Sequence, residues 1–86
     1  MNIEYHRKFV KTFVKLPEKI KSKFYEKLLI FEKNPSDPVL NNHSVEYMYP
    51  DCRSINVTGD YRALFKSGSA DSVMFMKIGT HSELYE

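Results

Sequence analysis

The stretch that decides the fold is Arg53–Ile78, RSINVTGDYRALFKSGSADSVMFMKI. Apolar and polar residues alternate over Arg53–Val57 and again over Tyr61–Lys66, which is the period of a β-strand with one buried face. Thr58-Gly59-Asp60 between them has the composition of a tight turn. A small polar turn then precedes Val73–Ile78, an apolar run with β-branched ends. The stretch therefore predicts a three-stranded antiparallel meander.

The two faces of this predicted meander differ in chemistry. One face is apolar and is expected to pack against the rest of the chain; it carries Ile55, Val57, Tyr61, Ala63 and Phe65. The other face is polar and gathers Ser54, Asn56 and Arg62, with Asp60 near the turn. This polar face is the candidate functional surface, although the outer face of a hairpin is often simply solvated.

The first half of the chain predicts a strand and two helices. Residues 1–5 alternate and favour a short strand, whereas apolar residues recur at helical spacing from Phe9 to Val14 and from Ile20 to Phe31. Leu16-Pro17 separates the two helices because proline suits a first helical turn, and Asn34-Pro35 ends the second. The helices are needed to cover the apolar face of the sheet. The predicted fold is α+β, as a single domain over residues 1–86.

Composition indicates a folded, intracellular protein. The 86 residues are 42% hydrophobic with three glycines and four prolines, which disfavours disorder. No apolar run is long enough to span a membrane, and no signal-peptide pattern opens the chain. Cys52 is alone, so it forms neither an intrachain disulfide nor a cysteine metal site, and we interpret it as a half-buried strand residue. A cytoplasmic location is expected.

Charge is distributed unevenly along the chain. Residues 1–33 carry nine Lys and Arg against four acids, a balance of +5, and residues 34–86 carry four against seven, a balance of −3, which together give +2. A basic first half favours contact with a phosphate backbone. Lysines that merely solvate the helices would give the same pattern, so charge alone leaves the two interpretations open.

The C-terminal stretch Gly79–Tyr85 brings together residues that can carry chemistry. Thr80 followed by Glu83 is a capping box, which predicts a helical turn beginning at His81. His81 and Tyr85 stand four residues apart and would share one face of that turn. Backbone N–H groups at a helix start attract anions such as phosphate. A histidine and a tyrosine near a chain end are also often incidental.

Four spaced elements carry a family resemblance that covers nearly the whole chain. They are Leu16-Pro17, then Asn34-Pro35 before Leu40-Asn41-Asn42-His43, then Arg53-Ser54-Ile55 leading to Gly59-Asp60-Tyr61-Arg62, and finally Ile78-Gly79-Thr80-His81-Ser82-Glu83-Leu84-Tyr85. In this order they resemble the RelE/ParE superfamily of type II toxin–antitoxin toxins, and especially the YafQ- and RelE-type mRNA interferases. The family fold has an N-terminal strand, two helices and an antiparallel sheet with helices on one face.

The resemblance implies a metal-independent, cofactor-free endoribonuclease that cleaves mRNA on the ribosome and inhibits translation. In such cleavage the 2′-hydroxyl attacks the adjacent phosphate, which needs a base, a cation for the phosphorane and an acid for the leaving oxygen. The implied partners are a cognate antitoxin, the ribosome with its mRNA, and operator DNA through the antitoxin complex; a membrane is not among them.

Position by position, the resemblance implies a catalytic set of His43, Asp60, Arg62, His81 and Tyr85. His81 is expected to be the general acid because imidazole exchanges protons near neutral pH, and Arg62 to bind phosphate oxygens with its planar fork. The general base is either His43 or Asp60, and Asp60 could instead orient His43. Tyr85 is expected to stack on a base or bind the scissile phosphate.

Further RNA contacts are expected from Arg53, Asn56, Tyr61 and Lys77. Two of these positions depart from the family pattern, because Asn56 stands where YafQ-like relatives place a histidine and Tyr61 stands where a tryptophan is frequent. The apolar-x-Gly after the histidine is replaced by Val45-Glu46-Tyr47, which lacks the glycine. Strand alternation also puts Arg53 with the core-facing residues.

Two other functions remain open at this point. A ParE-like toxin of the same fold would poison DNA gyrase without being an enzyme, and an inactive member would only bind an antitoxin or regulate its operon. In either case a partner surface is expected, and the aromatic-rich segment Tyr47-Met48-Tyr49 together with a sheet edge is the candidate for it.

Overall fold

The computed structural model describes residues 1–85 and orders its elements as a strand, two helices, four further strands and a terminal helical turn. The strands are β1 (Asn2–Tyr5), β2 (His43–Ser44), β3 (Arg53–Asn56), β4 (Tyr61–Ser67) and β5 (Ser72–Thr80). The helices are α1 (Arg7–Phe13), α2 (Glu18–Lys33) and α3 (His81–Tyr85), with a 3₁₀ turn at Pro38–Leu40. The predicted α+β class is confirmed. None of the helices within residues 1–85 is long and apolar enough to cross a membrane.

The five strands form one mixed sheet in the order β1-β5-β4-β3-β2. The predicted meander is confirmed as the antiparallel run β3-β4-β5, joined at register pairs such as Asn56 with Arg62 and Arg62 with Gly79. The sequence analysis missed β2, because a two-residue strand has no period to detect. It also left unassigned the parallel pairing of β1 with β5, which joins residues 70 positions apart, as in Ile3 with Val73.

Local sequence signals set the helix boundaries. The His6 ring accepts a hydrogen bond from the Lys8 backbone N–H at 3.0 Å and so caps α1 at its start. Pro17 immediately precedes α2, and Asn34 ends it in an extended conformation. Leu16-Pro17 and Asn34-Pro35 therefore act as the breaks that the sequence predicted.

The main core lies between the helices and one face of the sheet. Phe9, Phe24, Phe31 and Phe75 are buried there, and Phe24 meets Phe75 edge to face at 5.3 Å between ring centroids. The predicted core-facing strand residues are confirmed in place: Ile55, Val57, Ala63 and Phe65 are buried in this core, and Tyr61 packs against it.

A second, smaller core corrects the prediction of an open polar face. Val45, Cys52, Leu64 and Leu84 are buried together on the sheet face opposite α1 and α2. The segment 45–52 and α3 fold over this face, a packing that no strand alternation reveals because it depends on contacts distant in sequence. The candidate functional surface is consequently a partly covered face.

Two residues of the 45–52 segment differ from expectation for the same reason. Cys52 is buried ahead of β3, instead of half-buried within a strand. Tyr49, expected on an exposed surface, is partly buried against the second core, and its hydroxyl donates a hydrogen bond to the Leu84 carbonyl. Tyr47 and Met48 are exposed as expected.

Candidate active site

The predicted capping box builds the helical turn that presents His81. The Thr80 backbone N–H donates to Glu83 Oε1 at 2.8 Å, and the Glu83 N–H donates to Thr80 Oγ1 at 3.2 Å. The His81 N–H donates to the Asp60 carbonyl at 3.0 Å, so α3 is also tied to the β3–β4 turn. A Cβ at Gly79 would lie 3.2 Å from Glu83 Oε1, so a larger residue there would press on the capping carboxylate.

His81 and Tyr85 share one face of α3, as their spacing predicted. Their ring centroids are 4.8 Å apart, His81 is exposed and Tyr85 is partly buried. Burial raises the pKa of the Tyr85 phenol, and this outweighs the opposing effects of the Ser54 hydroxyl and the Arg62 charge. Tyr85 is therefore a protonated hydrogen-bond donor at neutral pH.

Arg62 is held in place by the turn that precedes it. Its Nη1 donates to three backbone carbonyls, of Thr58 and Gly59 at 3.0 Å each and of Tyr61 at 3.2 Å. Within residues 1–85 its Nε and Nη2 make no hydrogen bond, so they can donate to an oxyanion. The guanidinium is thus fixed on one side and available on the other, which favours recognition of a phosphate.

Two buried polar atoms lie on the same sheet face as Arg62. Asn56 pairs directly with Arg62 across β3 and β4, so both side chains point to the α3 side of the sheet. Asn56 Oδ1 and Ser54 Oγ are buried without a well-formed hydrogen bond to residues 1–85. Buried polar groups rarely stay unpaired, and the Ser54 hydroxyl lies near the Tyr85 phenol, whose pKa it lowers. Sequence alternation placed Ser54 on this face but did not reveal its burial.

His43 lies on the same face at the sheet edge. It pairs with Ser54 across β2 and β3, and its side chain is exposed. His43 Nδ1 is 2.7 Å from the carbonyl oxygen of Asn41. A carbonyl only accepts, so in the neutral ring Nδ1 carries the proton and Nε2 offers a lone pair. His43 therefore presents a proton acceptor to solvent.

Asp60 is exposed at the β3–β4 turn and is engaged through its backbone. Its N–H donates to Thr58 Oγ1 at 3.2 Å, and its carbonyl accepts from His81. The Asp60 carboxylate makes no hydrogen bond with His43. No hydrogen bond supports the suggestion that Asp60 orients His43, and the Asp60 backbone instead contacts His81.

The four expected RNA contacts are divided between the two sides of the sheet. Asn56 and Lys77 lie on the α3 side, and Lys77 Nζ is 5.3 Å above the Tyr49 ring. Arg53 pairs with Phe65 on the helix side, where its Nε donates to Asn42 Oδ1 at 2.8 Å. Tyr61 packs against the main core on that same side. Strand alternation prevents Arg53 and Tyr61 from joining the residues around Arg62.

No metal-binding cluster of His, Cys, Asp or Glu occurs among residues 1–85. The residues that the structure brings to one face are His43, Asn56, Arg62, His81 and Tyr85, with Ser54 beneath them and Asp60 at the margin. The two histidines can exchange protons, and Arg62 provides a positive charge in a fixed position beside partly buried polar side chains. Together these groups suit the cleavage of a phosphodiester.

Comparison with known proteins identifies the fold. No family-wide sequence profile and no curated protein sequence matches the chain. Solved structures do match it, and the crystal structure of YafQ from E. coli strain BL21(DE3) is similar with a TM-score of 0.79 and 24% identity, covering 99% of this chain and 98% of that one.

Two toxin–antitoxin complexes are similar as well. A chain of the E. coli DinJ–YafQ toxin–antitoxin complex gives 28% identity and a TM-score of 0.71, covering 99% of this chain and 97% of that one. The intact E. coli RelBE complex gives 18% identity and a TM-score of 0.72, covering 92% and 94%. The resemblance to the RelE/ParE superfamily, and to YafQ in particular, is confirmed.

Proposed function

We propose that this chain, which has the fold of the RelE/ParE-superfamily toxins, is the toxin of a toxin–antitoxin pair and cleaves ribosome-bound mRNA in the cytoplasm. The observation that carries the proposal is the arrangement around α3. A capped turn presents His81 in ring contact with Tyr85, and Arg62 keeps two guanidinium nitrogens free on the same face of the sheet.

The reaction follows from the groups on this face. A base removes the proton of a ribose 2′-hydroxyl, whose oxygen attacks the adjacent phosphorus. Charge that develops on the phosphorane oxygens is stabilised by the free N–H groups of Arg62, which need no rearrangement to reach them. The bond from phosphorus to the 5′-oxygen breaks, and His81 gives that oxygen a proton. The products are a 2′,3′-cyclic phosphate and a free 5′-hydroxyl.

We assign the general base to His43 in preference to Asp60. The hydrogen bond of Nδ1 to the Asn41 carbonyl leaves Nε2 as a proton acceptor on the face that carries Arg62. Asp60, by contrast, is held through its backbone at the turn. Asn56, which cannot exchange a proton at neutral pH, is assigned to hydrogen bonding with the substrate through its partly exposed side-chain amide.

Tyr85 is assigned to substrate binding. Its raised pKa keeps the phenol protonated at neutral pH, so it can donate a hydrogen bond to a phosphate oxygen. Its ring packs at an angle of 73° against Tyr49, which fixes its plane for stacking against a base. Of the four expected RNA contacts, Asn56 and Lys77 are retained in the proposal.

The antitoxin is proposed to cover an apolar surface on the two helices. This surface, the helix patch, consists of Tyr5, Val10, Phe13, Val14, Tyr25 and Leu29, and a shallow groove of about 310 Å³ opens between α1 and α2 within it. Tyr25 is 55% exposed and Leu29 64% exposed, which is unusual for neighbouring large apolar residues. Two similar solved structures are toxin–antitoxin complexes, and an apolar helix face would suit this groove.

A translation assay tests the proposed function. Purified protein added to a cell-free bacterial translation reaction should produce discrete cuts in the mRNA, mapped by primer extension, and His81→Gln should reduce the cutting rate roughly 100-fold or more. The 5′ fragment should end in a cyclic phosphate. Intact mRNA together with inhibited supercoiling by purified gyrase would instead identify a ParE-like poison, and an effect on neither would identify an inactive antitoxin-binding protein.

A further inference from the structure

Four lysines form a basic groove beside α3, and three of them, Lys8, Lys11 and Lys66, are not assigned to the candidate active site. Two depressions of about 400 and 200 Å³ lie along β5 and share Lys8 and Lys77. Lys11 lines the larger depression, between α1 and α3, and Lys66 lines the smaller one. These four side chains define the lysine groove.

The lysines in this groove are brought together by the fold. Lys8 and Lys11 stand three apart on the outer face of α1, which runs beside β5 and buries Phe9 on its other side. Lys66 comes from β4 and Lys77 from β5, so sequence spacing alone does not unite them. None of the four takes part in an ion pair among residues 1–85, where the salt bridges involve Met1, Lys21 and Lys23.

The one carboxylate that lines the groove is already engaged. Glu83 borders the larger depression, but its Oε1 accepts a hydrogen bond from the Thr80 N–H in the capping box. Among residues 1–85, four lysines and one carboxylate line the two depressions, so the groove keeps a net positive charge. Unpaired lysines that face one another repel, and an external polyanion relieves that repulsion.

Tyr49 connects the groove with the candidate active site. Its ring centroid lies 6.1 Å from that of Tyr85 and 5.3 Å from the Lys77 ammonium. A partly exposed aromatic between a catalytic face and a line of cations is the arrangement that proteins use to carry single-stranded nucleic acid, with bases stacked and phosphates paired to lysines.

We propose that the lysine groove binds an RNA phosphate backbone outside the cleavage site and so anchors the substrate complex. The inference rests on the proposed function, because it names where the RNA continues beyond the reacting phosphate. The backbone has two possible sources, namely the mRNA strand that passes through the active site and the ribosomal RNA that surrounds it.

Binding measured as a function of salt tests the groove independently of cleavage. The probe is a fluorescent 12-nucleotide RNA with 2′-O-methyl groups, which lacks the attacking hydroxyl, and a second arm uses purified ribosomes. In the variant Lys8→Gln/Lys11→Gln/Lys66→Gln, loss of three phosphate contacts should reduce the slope of log K against log salt by about 2 and weaken binding roughly tenfold at low salt.

A matched variant controls for the change in net charge. Lys15→Gln/Lys19→Gln/Lys33→Gln removes the same charge from exposed lysines that line neither depression, and it should bind like the wild-type protein. His81→Gln should keep the full salt slope although it loses cleavage. If the proposed function is wrong and no mRNA is cut, the binding measurements with the 12-nucleotide RNA and with ribosomes still test whether the groove binds RNA.

The two arms separate the sources of the backbone. Weaker binding to the 12-nucleotide RNA identifies the mRNA strand, and weaker binding to ribosomes alone identifies ribosomal RNA; either result supports the groove. Equal affinities and equal salt slopes for the groove variant and the control variant in both arms would overturn it. Thermal unfolding, compared for all variants, ensures that the differences arise in the folded protein.

Discussion

At the scale of single residues, hydrogen bonds inside the protein decide which groups of the candidate site are available. Arg62 uses one nitrogen to bind its own turn and keeps the others free, whereas Arg53 uses its Nε and Nη2 on Asn42. In the sequence analysis Arg62 was the expected phosphate-binding residue of the catalytic set, and Arg53 was a further expected RNA contact. Alternation along β3 and β4 predicted on which face of the sheet each arginine lies. Only the hydrogen bonds show that Arg62 is held through Nη1 while its Nε and Nη2 can still donate.

His43 and Asp60 make different predictions for the general base. His43→Gln removes the Nε2 acceptor and should lower the cleavage rate roughly 100-fold or more, since a positioned base contributes at least that much. Asp60→Asn keeps the backbone contacts with Thr58 and His81 and should lower the rate less than tenfold. Single-turnover cleavage of ribosome-bound mRNA measures both. A larger loss in Asp60→Asn than in His43→Gln would transfer the role of base to the carboxylate.

The raised pKa of Tyr85 predicts a specific loss of stability at alkaline pH. The folded state holds the phenolic proton more tightly than the unfolded chain does. The protonated phenol therefore contributes fully to stability below pH 10, and this contribution is lost as the pH rises through the pKa of Tyr85 in the folded protein. Tyr85→Phe should therefore lose less free energy of unfolding between pH 9 and pH 11 than the wild-type protein, as measured by urea denaturation.

The matched control for this effect is Tyr47→Phe. Tyr47 is 80% exposed, so its replacement should leave the alkaline slope of the wild-type protein unchanged. Tyr5 and Cys52 also have a raised pKa through burial and contribute to the same decline in every variant. Identical slopes for Tyr85→Phe and Tyr47→Phe would show that the Tyr85 phenol is not desolvated in solution.

At the scale of elements, the terminal turn α3 was predicted more fully than the sheet edges were. The capping box between Thr80 and Glu83 is a local pattern, and its two hydrogen bonds form as the spacing required. The edge strands β1 and β2 depend on partners far along the chain, and β2 is too short to show a period. Local signals are readable in a sequence because they need no knowledge of what lies opposite.

The same locality predicts the effect of breaking the cap. Glu83→Ala removes the acceptor of the Thr80 N–H and should destabilise the protein by about 1 kcal/mol. It should also increase hydrogen exchange of the amides in α3 and lower cleavage, because a frayed turn no longer holds His81 beside Tyr85. Glu83→Gln keeps an acceptor oxygen and should restore most of both properties. Unchanged amide exchange in Glu83→Ala would show that the capping box does not hold the turn that carries His81.

At the scale of the whole molecule, the sheet is covered on both faces, and only one cover was predictable. Helical periodicity in residues 7–33 required a partner for the apolar strand face, and the phenylalanine core supplies it. The opposite face was expected to be open, but Leu64 lies on it as a buried apolar residue among polar neighbours. Leu64, which interrupts the polar side of β4, was an available signal that the 45–52 segment and α3 cover this side.

Covering both faces of the sheet leaves the helix patch as the large exposed apolar surface among residues 1–85, and it predicts where an antitoxin binds. Tyr25→Glu and Leu29→Glu place charges in the centre of this surface, far from Arg62 and His81 in the sequence and on the other side of the sheet. Each should weaken binding to the cognate antitoxin at least tenfold, because aromatic and aliphatic anchors at an interface centre carry much of its binding energy.

Cleavage in the absence of antitoxin should remain at the wild-type rate in both variants, since neither residue contributes to the catalytic face. Tyr47→Glu changes the exposed loop that the sequence alone favoured as a partner surface, and it provides the comparison. Isothermal titration with the purified antitoxin measures the three affinities. A larger loss for Tyr47→Glu than for the two helix variants would return the interface to the loop, and the exposed apolar residues of α1 and α2 would then need another explanation.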